Sequence, residues 1–352
     1  MKSKSHVSWG STPPPSSAVS APSTITAVDH ASATPHKVVF LKQIDKGSSG
    51  RVFIATTEPM RGIFAAKILF KEQCKYFLRE QSSLICLHHP GIPSLLFSAT
   101  LPTSYVFSSI QFIFYSLTHA IILKFVSEEM LLATDLGCGG SLLALGLDHQ
   151  PLTESRARPI LRQVFSAVAH AHSRQIVHRD IKLENVIFKD YSQTSIFLID
   201  WGLSTFFSPS SLLQEDCGSL PYASPELLSQ KPYIGPEVDA WALGILAYAI
   251  VLGNFPFGGS TPQKKLMEFS KPIPFPPSLS PEIVSLILHL LHLDASHRLL
   301  PAKAMEHVWF NSSLTPPETL PLSPRCRKIR PSKFCHNLDK LLLLPQEDFN
   351  QQ

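Results

Sequence analysis

From Lys37 onward apolar residues recur at short, nearly alternating spacing: Val39, Leu41 and Ile44, then Val52 and Ile54, then Ile63 and Ala65 up to Lys67. Alternation of this kind marks half-buried strands. Turn residues at Gly47 to Gly50 and Pro59 to Gly62 separate the runs, so three short antiparallel strands are predicted. The spacing then widens to a helical one at Phe77, Leu78, Leu84 and Leu87. Met130 to Leu136 reads as a further strand, and Gly137, Gly139 and Gly140 after it suggest a hinge. Beyond the hinge the pattern is mostly helical. Ala157 to Ser173 carries Ile160, Leu161, Val164, Ala167, Val168 and Ala171 on one side, while Val238 to Leu252 is apolar nearly all round and predicts a fully buried helix. Two lobes of different character emerge, an α+β organisation.

Composition sharpens the boundaries. Hydrophobic residues make up 44% of the 352 positions and charged residues 16%, enough to bury a sizeable core. The 30 prolines cluster near the ends, so residues 1–36, rich in Ser, Thr, Pro and Ala, are expected to be disordered, and residues 311–352 to form a Pro-rich basic tail. A formal charge of +4 with no long basic run outside that tail gives no support to a nucleic-acid partner. The six cysteines show no C-x-x-C pair, which argues against zinc sites and a disulfide framework and for a reducing, cytoplasmic location. The N-terminus has no apolar stretch of the kind a secretory signal needs. Pro102 to Leu123 is uncharged and long enough to cross a membrane, but Gln111, Thr118 and His119 lie within it and it interrupts a strand pattern. It reads as an insertion, genuine or left by an unspliced intron; no membrane association and a monomeric chain are expected.

Residues with chemical capacity gather in two runs. His178-Arg179-Asp180-Ile181-Lys182-Leu183-Glu184-Asn185 precedes an apolar strand, Ile196 to Ile199, which leads into Asp200-Trp201-Gly202. Phosphoryl transfer needs a positioned hydroxyl, neutralised phosphate charge and divalent metal on hard oxygen ligands. Asp180 can accept the hydroxyl proton, Asn185 and Asp200 can hold magnesium ions, and Lys182 can neutralise charge at a γ-phosphate. The order of these residues resembles the catalytic loop of the eukaryotic protein kinase family, with its Asp-Phe-Gly motif written Asp200-Trp201-Gly202. The resemblance spans residues 37–310. It implies a bilobal protein kinase fold, in which a small antiparallel β lobe with one regulatory helix (37–134) leads through a hinge (135–140) to a larger, mainly helical lobe (141–310). It also implies ATP and Mg2+ as cofactors and protein substrates, and Lys182 favours serine/threonine specificity.

Other segments extend the resemblance. Asp45-Lys46-Gly47-Ser48-Ser49-Gly50-Arg51-Val52 is similar to the family's Gly-rich loop, where Gly47, Ser48 and Gly50 would approach the phosphates. Asp45 stands where the first glycine is expected and Ser49 where an aromatic tip is usual, departures that loosen the lid over ATP. Lys67 resembles the lysine that grips the α- and β-phosphates; a buried lysine needs an anionic partner, for which Glu80 is the candidate. Lys67 and Glu80 thus join Asp180 and Lys182 as the catalytic set. Val52, Ala65 and Ile187 correspond to positions that sandwich adenine, Asp135 and Gly137 to the hinge, and Thr134 to the gatekeeper, which leaves room behind the adenine. Cys217 to Glu226 looks like the end of the activation segment, Asp239 to Gly244 like the helix that anchors the catalytic loop, and Arg298 like the late arginine that pairs with Glu226. His170 and His172 read as helix packing.

The calmodulin-dependent and AMP-activated kinase group is most similar in appearance, through Cys217 to Glu226 and the Asp239 helix. Many of these relatives require phosphorylation of a threonine two residues before the cysteine. Here Glu215 and Asp216 stand in that place, so a built-in carboxylate facing Arg179 is expected. Of the acidic positions by which basophilic relatives select arginine, Glu184 is kept, but Ser141 and Ala249 stand at the others. Strong arginine dependence is therefore not expected. The alternative is a pseudokinase scaffold acting by protein binding, favoured by Asp45, Ser49 and the insertion; the intact Lys67, Glu80, Asp180, Asn185 and Asp200 outweigh them. The basic patch from Arg325 to Lys333 is a candidate site for a regulatory partner or for nuclear import.

Overall fold

A computed structural model describes residues 23–29, 31–32, 35–47, 50–58, 62–101, 129–147 and 151–311. Six strands close into an antiparallel barrel: β1 (Ser23–Asp29), β2 (Pro35–Gly47), β3 (Gly50–Glu58), β4 (Ile63–Phe70), β5 (Leu95–Leu101) and β6 (Glu129–Thr134), in the order β1-β2-β3-β4-β6-β5. Closure runs through β1, which pairs with β2 along its length and with β5 at Val28 and Asp29. That corrects the expectation of disorder for residues 23–29, 31–32 and 35–36 alone; residues 1–22, which the same expectation covered, and the tail at 312–352 lie outside the described residues. The Ser- and Thr-rich composition concealed a β-branched run, Thr24, Ile25, Thr26 and Val28, that fits the open edges of β2 and β5 and buries Ala27. The strand expected at Met130 to Leu136 ends instead at Thr134, and Asp135 and Leu136 leave the sheet for the hinge.

Inside the barrel, Phe40, Ala55, Phe64, Ile68, Phe97 and Leu131 form the core. The helix α1 (Cys74–Cys86) lies outside it, with Phe77 packed on Leu69, Met130 and Leu132. The insertion read at 102–123 lies outside the described residues; β5 and β6, which flank it, pair directly, with Leu101 opposite Glu129.

The second lobe is helical: α2 (Leu142–Leu147), α3 (Glu154–Ser173), α4 (Pro225–Leu228), α5 (Pro236–Leu252), α6 (Pro262–Glu268), α7 (Pro281–Leu290), α8 (Pro301–Ala304) and α9 (Val308–Asn311). Short strand pairs lie on it: β7 (Ile176–Val177) with β10 (Thr205–Phe206), and β8 (Val186–Phe188) with β9 (Ile196–Leu198). Every residue of α5 from Val238 to Val251 is buried, Asp239 among them, as a sequence apolar nearly all round requires. Gly253, at φ +71°, ends it in the left-handed turn that glycine adopts without penalty. No helix among the described residues is long and apolar enough to cross a membrane.

One buried ion pair ties α4 to the end of the lobe. Arg298 meets Glu226 through two parallel bonds, one of 2.7 Å, and donates also to the carbonyls of Glu237 and His292 at 2.9 and 2.8 Å. Its guanidinium lies 5.0 Å from the Trp241 ring centroid. Removing one partner strands the other charge in the interior. Arg298→Leu is expected to lower unfolding free energy by about 3–5 kcal/mol in denaturant titration, and a change below about 1 kcal/mol would contradict the assigned role.

Candidate active site

The cleft between the lobes is built around Lys67. In the sheet Lys67 lies between Val52 of β3 and Leu132 of β6, which fixes its direction. Its ammonium donates to Glu80 Oε2 of α1 at 2.6 Å and to Asp200 Oδ1 at 2.7 Å. Burial opposes the charge on Lys67, but the two carboxylates outweigh it and hold its pKa above the ordinary lysine range. Burial likewise works to raise the Asp200 pKa, and Lys67 turns the balance, keeping that carboxyl below the ordinary aspartate value.

Asp200 sits at φ +63°, in the left-handed region that non-glycine residues rarely adopt. What secures it is the next residue: Trp201 is fully buried, donates from Nε1 to the Leu198 carbonyl at 3.1 Å and lies 4.5 Å, ring to ring, from His178. A buried hydrogen bond of 2.7 Å between Ser83 of α1 and Ser204 joins the regulatory helix to this turn.

The catalytic loop hangs from α5. Asp239 accepts from the backbone N–H of His178 at 2.9 Å and of Arg179 at 2.8 Å, and from His172 Nε2 at 2.9 Å. His172 is thus tied to α5 by a hydrogen bond. Arg179 also takes a positive φ, +67°. Asp180, next along, accepts from Lys182 Nζ at 2.5 Å and Ser219 Oγ at 2.8 Å. Asn185 donates its amide to the Asp180 carbonyl at 2.8 Å, which aims its own carbonyl oxygen away from that residue.

Of the two acids expected opposite Arg179, Glu215 takes the place. Its carboxylate accepts from Arg179 Nη2 at 2.9 Å, from Arg79 at 2.6 and 3.2 Å, and from Lys75 at 2.7 Å. The hydrogen bonds from Arg79, followed by those from Lys75 and Arg179, hold its pKa far below the ordinary glutamate value. Tyr233 completes the corner, accepting from Arg179 and donating to the Glu215 carbonyl at 2.8 Å. Asp216 is exposed.

The remaining expected contacts line the cleft. Gly47 and Gly50 face each other at the β2–β3 turn; Ser48 lies outside the described residues. Ala65 pairs with Thr134, and Val52 is opposite Lys67. Asp135 is pinned to Ser94 by its own N–H at 3.2 Å and through its carboxylate at 2.9 Å. A Cβ at Gly137 would fall 2.5 Å from Ile187 Cδ1 and 3.0 Å from the Phe188 carbonyl oxygen, so hinge and floor meet closely there. This cradle suits a flat base. Asn185 and Asp200 add the hard oxygen donors that magnesium takes, and the set fits a metal-bound nucleotide.

Sequence reasoning left out Lys75, Arg79 and Tyr233, and gave Ser219 no contact with Asp180. Cations on a helix face look the same whether solvated or paired, and only the fold brings residue 215 to residue 79.

The sequence profile of the protein kinase domain matches residues 38–310. Serine/threonine-protein kinase ppk25 of Schizosaccharomyces pombe is 40% identical over 176 residues, half of this chain and 41% of that protein. Human NUAK family SNF1-like kinase 2 is 30% identical over 282 residues, covering 78% of this chain and 40% of that one. The serine/threonine-protein kinase SIK3 homolog of Danio rerio is 31% identical over 312 residues, 86% of this chain and 24% of its own length. The chain thus spans less than half the length of these relatives. A lysine paired with both a helix glutamate and Asp200, beside an aspartate that accepts from a hydroxyl, accords with those likenesses, and the chain belongs to the protein kinase family, among relatives of the AMP-activated-type serine/threonine kinases.

Proposed function

We propose that the chain is a catalytically competent serine/threonine kinase that moves the γ-phosphate of ATP to hydroxyls of protein substrates. The observation that carries this reading is the simultaneous pairing of Lys67 with Glu80 and Asp200. It aligns the phosphate-gripping lysine with the metal site, and a binding scaffold has no chemical need of it.

Each residue then has a task. Lys67 holds the α- and β-phosphates, and Val52, Ala65, Ile187 and the hinge hold the base. Asn185 and Asp200 would hold Mg2+, which supplies charge neutralisation at the phosphates. Asp180 orients the incoming hydroxyl and receives its proton, a reading supported by the 2.8 Å bond its carboxylate already accepts from Ser219 Oγ. Lys182, which touches both Asp180 and Ser219, neutralises charge at the transferring group. Glu184 is exposed beside this loop, while Ala249 is buried in α5. A substrate arginine would therefore meet one acid and not a cluster.

The carboxylate of Glu215 supplies the order that an added phosphate would otherwise give. It carries one charge against a phosphate's roughly −1.5 to −2, but it meets three cations.

Two outcomes are expected. Asp180→Asn should lower phosphate incorporation into a generic protein substrate by about 10²-fold or more while Mg-ATP affinity, measured by calorimetry, stays within about twofold; activity retained in this variant would sink the assignment. Protein stripped by phosphatase should keep its activity, whereas Glu215→Gln should cost about tenfold. Loss of activity on phosphatase treatment alone would show that an added phosphate, not Glu215, orders the segment.

A further inference from the structure

Lys265 on α6 is 1% exposed. Its ammonium donates to the carbonyl of Pro221 at 2.9 Å and, at 3.5 Å, to that of Phe257; both partners are main-chain oxygens. The loop that carries the second carbonyl approaches α6 closely. Gly259, at φ +98°, has no room for a Cβ, which would lie 2.6 Å from the Lys265 backbone nitrogen. Phe257 itself stacks on buried Trp241, with ring centroids 5.7 Å apart.

A buried ammonium without a counter-charge is costly, and a leucine or methionine would fill the same space without that cost. What the cation gains is a charge-assisted hold on the turn at Leu220–Tyr222. From the other side the same turn is held by the catalytic loop. Ser219 donates to Asp180, the N–H of Leu183 donates to Tyr222 Oη at 3.2 Å, and a Cβ on Gly218 would strike the Arg179 carbonyl at 2.6 Å. Exposed Phe255 meets Tyr222 edge-on. The turn is therefore clamped between the loop that carries Asp180 and a lysine that takes no part in the chemistry.

We propose that Lys265 is a positioning residue for the protein substrate, fixing the 219–222 turn at the height over the catalytic loop where an extended peptide presents its hydroxyl to Asp180. This rests on the kinase reading above. Burial lowers the Lys265 pKa to about 8, so the hold weakens in mildly alkaline solution. The charged and titratable groups near it are Tyr222 on the turn, Glu226 on α4, which packs on α6, Lys264 and Glu268 on α6 itself, and Glu237 and Asp239 on α5, whose Trp241 stacks on Phe257. None of them is hydrogen bonded to the Lys265 ammonium. Glu226 is committed to Arg298, and Asp239 to the catalytic loop and His172.

The test compares the full chain with Lys265→Met, using dephosphorylated casein as substrate. The KM for casein should rise about tenfold with the KM for ATP unchanged, while the melting temperature stays level or rises because a buried charge has been removed. In the unaltered chain the casein KM should climb as pH passes about 8, and in Lys265→Met that climb should vanish. An unchanged casein KM, or a uniform loss of every kinetic constant together with a lower melting temperature, would overturn the proposal alone. Absence of phosphate transfer by the unaltered chain would overturn the kinase reading, and the proposal with it.

Discussion

A single carboxylate, that of Glu215, is shared by cations from two places the chain must bring together. Lys75 and Arg79 belong to α1, and Arg179 to the catalytic loop. Arg79 is the neighbour of Glu80, so whatever holds Arg79 also sets the position from which Glu80 reaches Lys67. Each contact is a charge-assisted hydrogen bond, roughly twice as strong as a neutral one. The carboxylate remains partly open to solvent, which limits what any one pair contributes. Its effect comes from joining three segments at one point, where the two parts of the site would otherwise depend on the packing of α1 alone.

The rest of the site is rigid by other means. Asp239 takes two consecutive backbone N–H groups of the catalytic loop, so the direction of that loop is set by the deeply buried helix α5. Arg179 and Asp200 both occupy left-handed conformations that cost of order 1–3 kcal/mol each, and both are flanked by anchors that over-determine them: Asp239 and Glu215 for the first, Lys67 and buried Trp201 for the second. The tryptophan in this place adds something a phenyl ring lacks, an N–H that fastens the turn to Leu198.

Much of this was legible in the sequence because strongly periodic segments and residues with few alternative uses announce themselves. The alternation in β2 to β4, the all-round apolar α5 and the Asp180, Asn185 and Asp200 spacing each admit few readings. β1 was hidden because threonine and serine serve strands and disordered segments alike; only the unpaired edges of β2 and β5 decide between them. Glu215 and Asp216 were equivalent on paper. In an extended segment successive side chains point to opposite sides, and the fold turns the first to Arg179 and leaves the second in water. Lys75 with Arg79, and Lys264 with Lys265, carry the composition of ordinary solvated helix faces, and their roles follow from what the tertiary structure sets opposite them.

The central claim is that Glu215 acts on the chemistry through α1, by placing Glu80 against Lys67. A double-mutant cycle on phosphate transfer measures this directly, comparing kcat/KM for Glu215→Gln, Glu80→Gln and the two combined. If the carboxylate works through α1, the double variant should be little worse than Glu80→Gln alone, since the pairing that Glu215 supports is already gone. Losses that simply multiply would contradict it, showing that Glu215 and Glu80 serve the reaction independently.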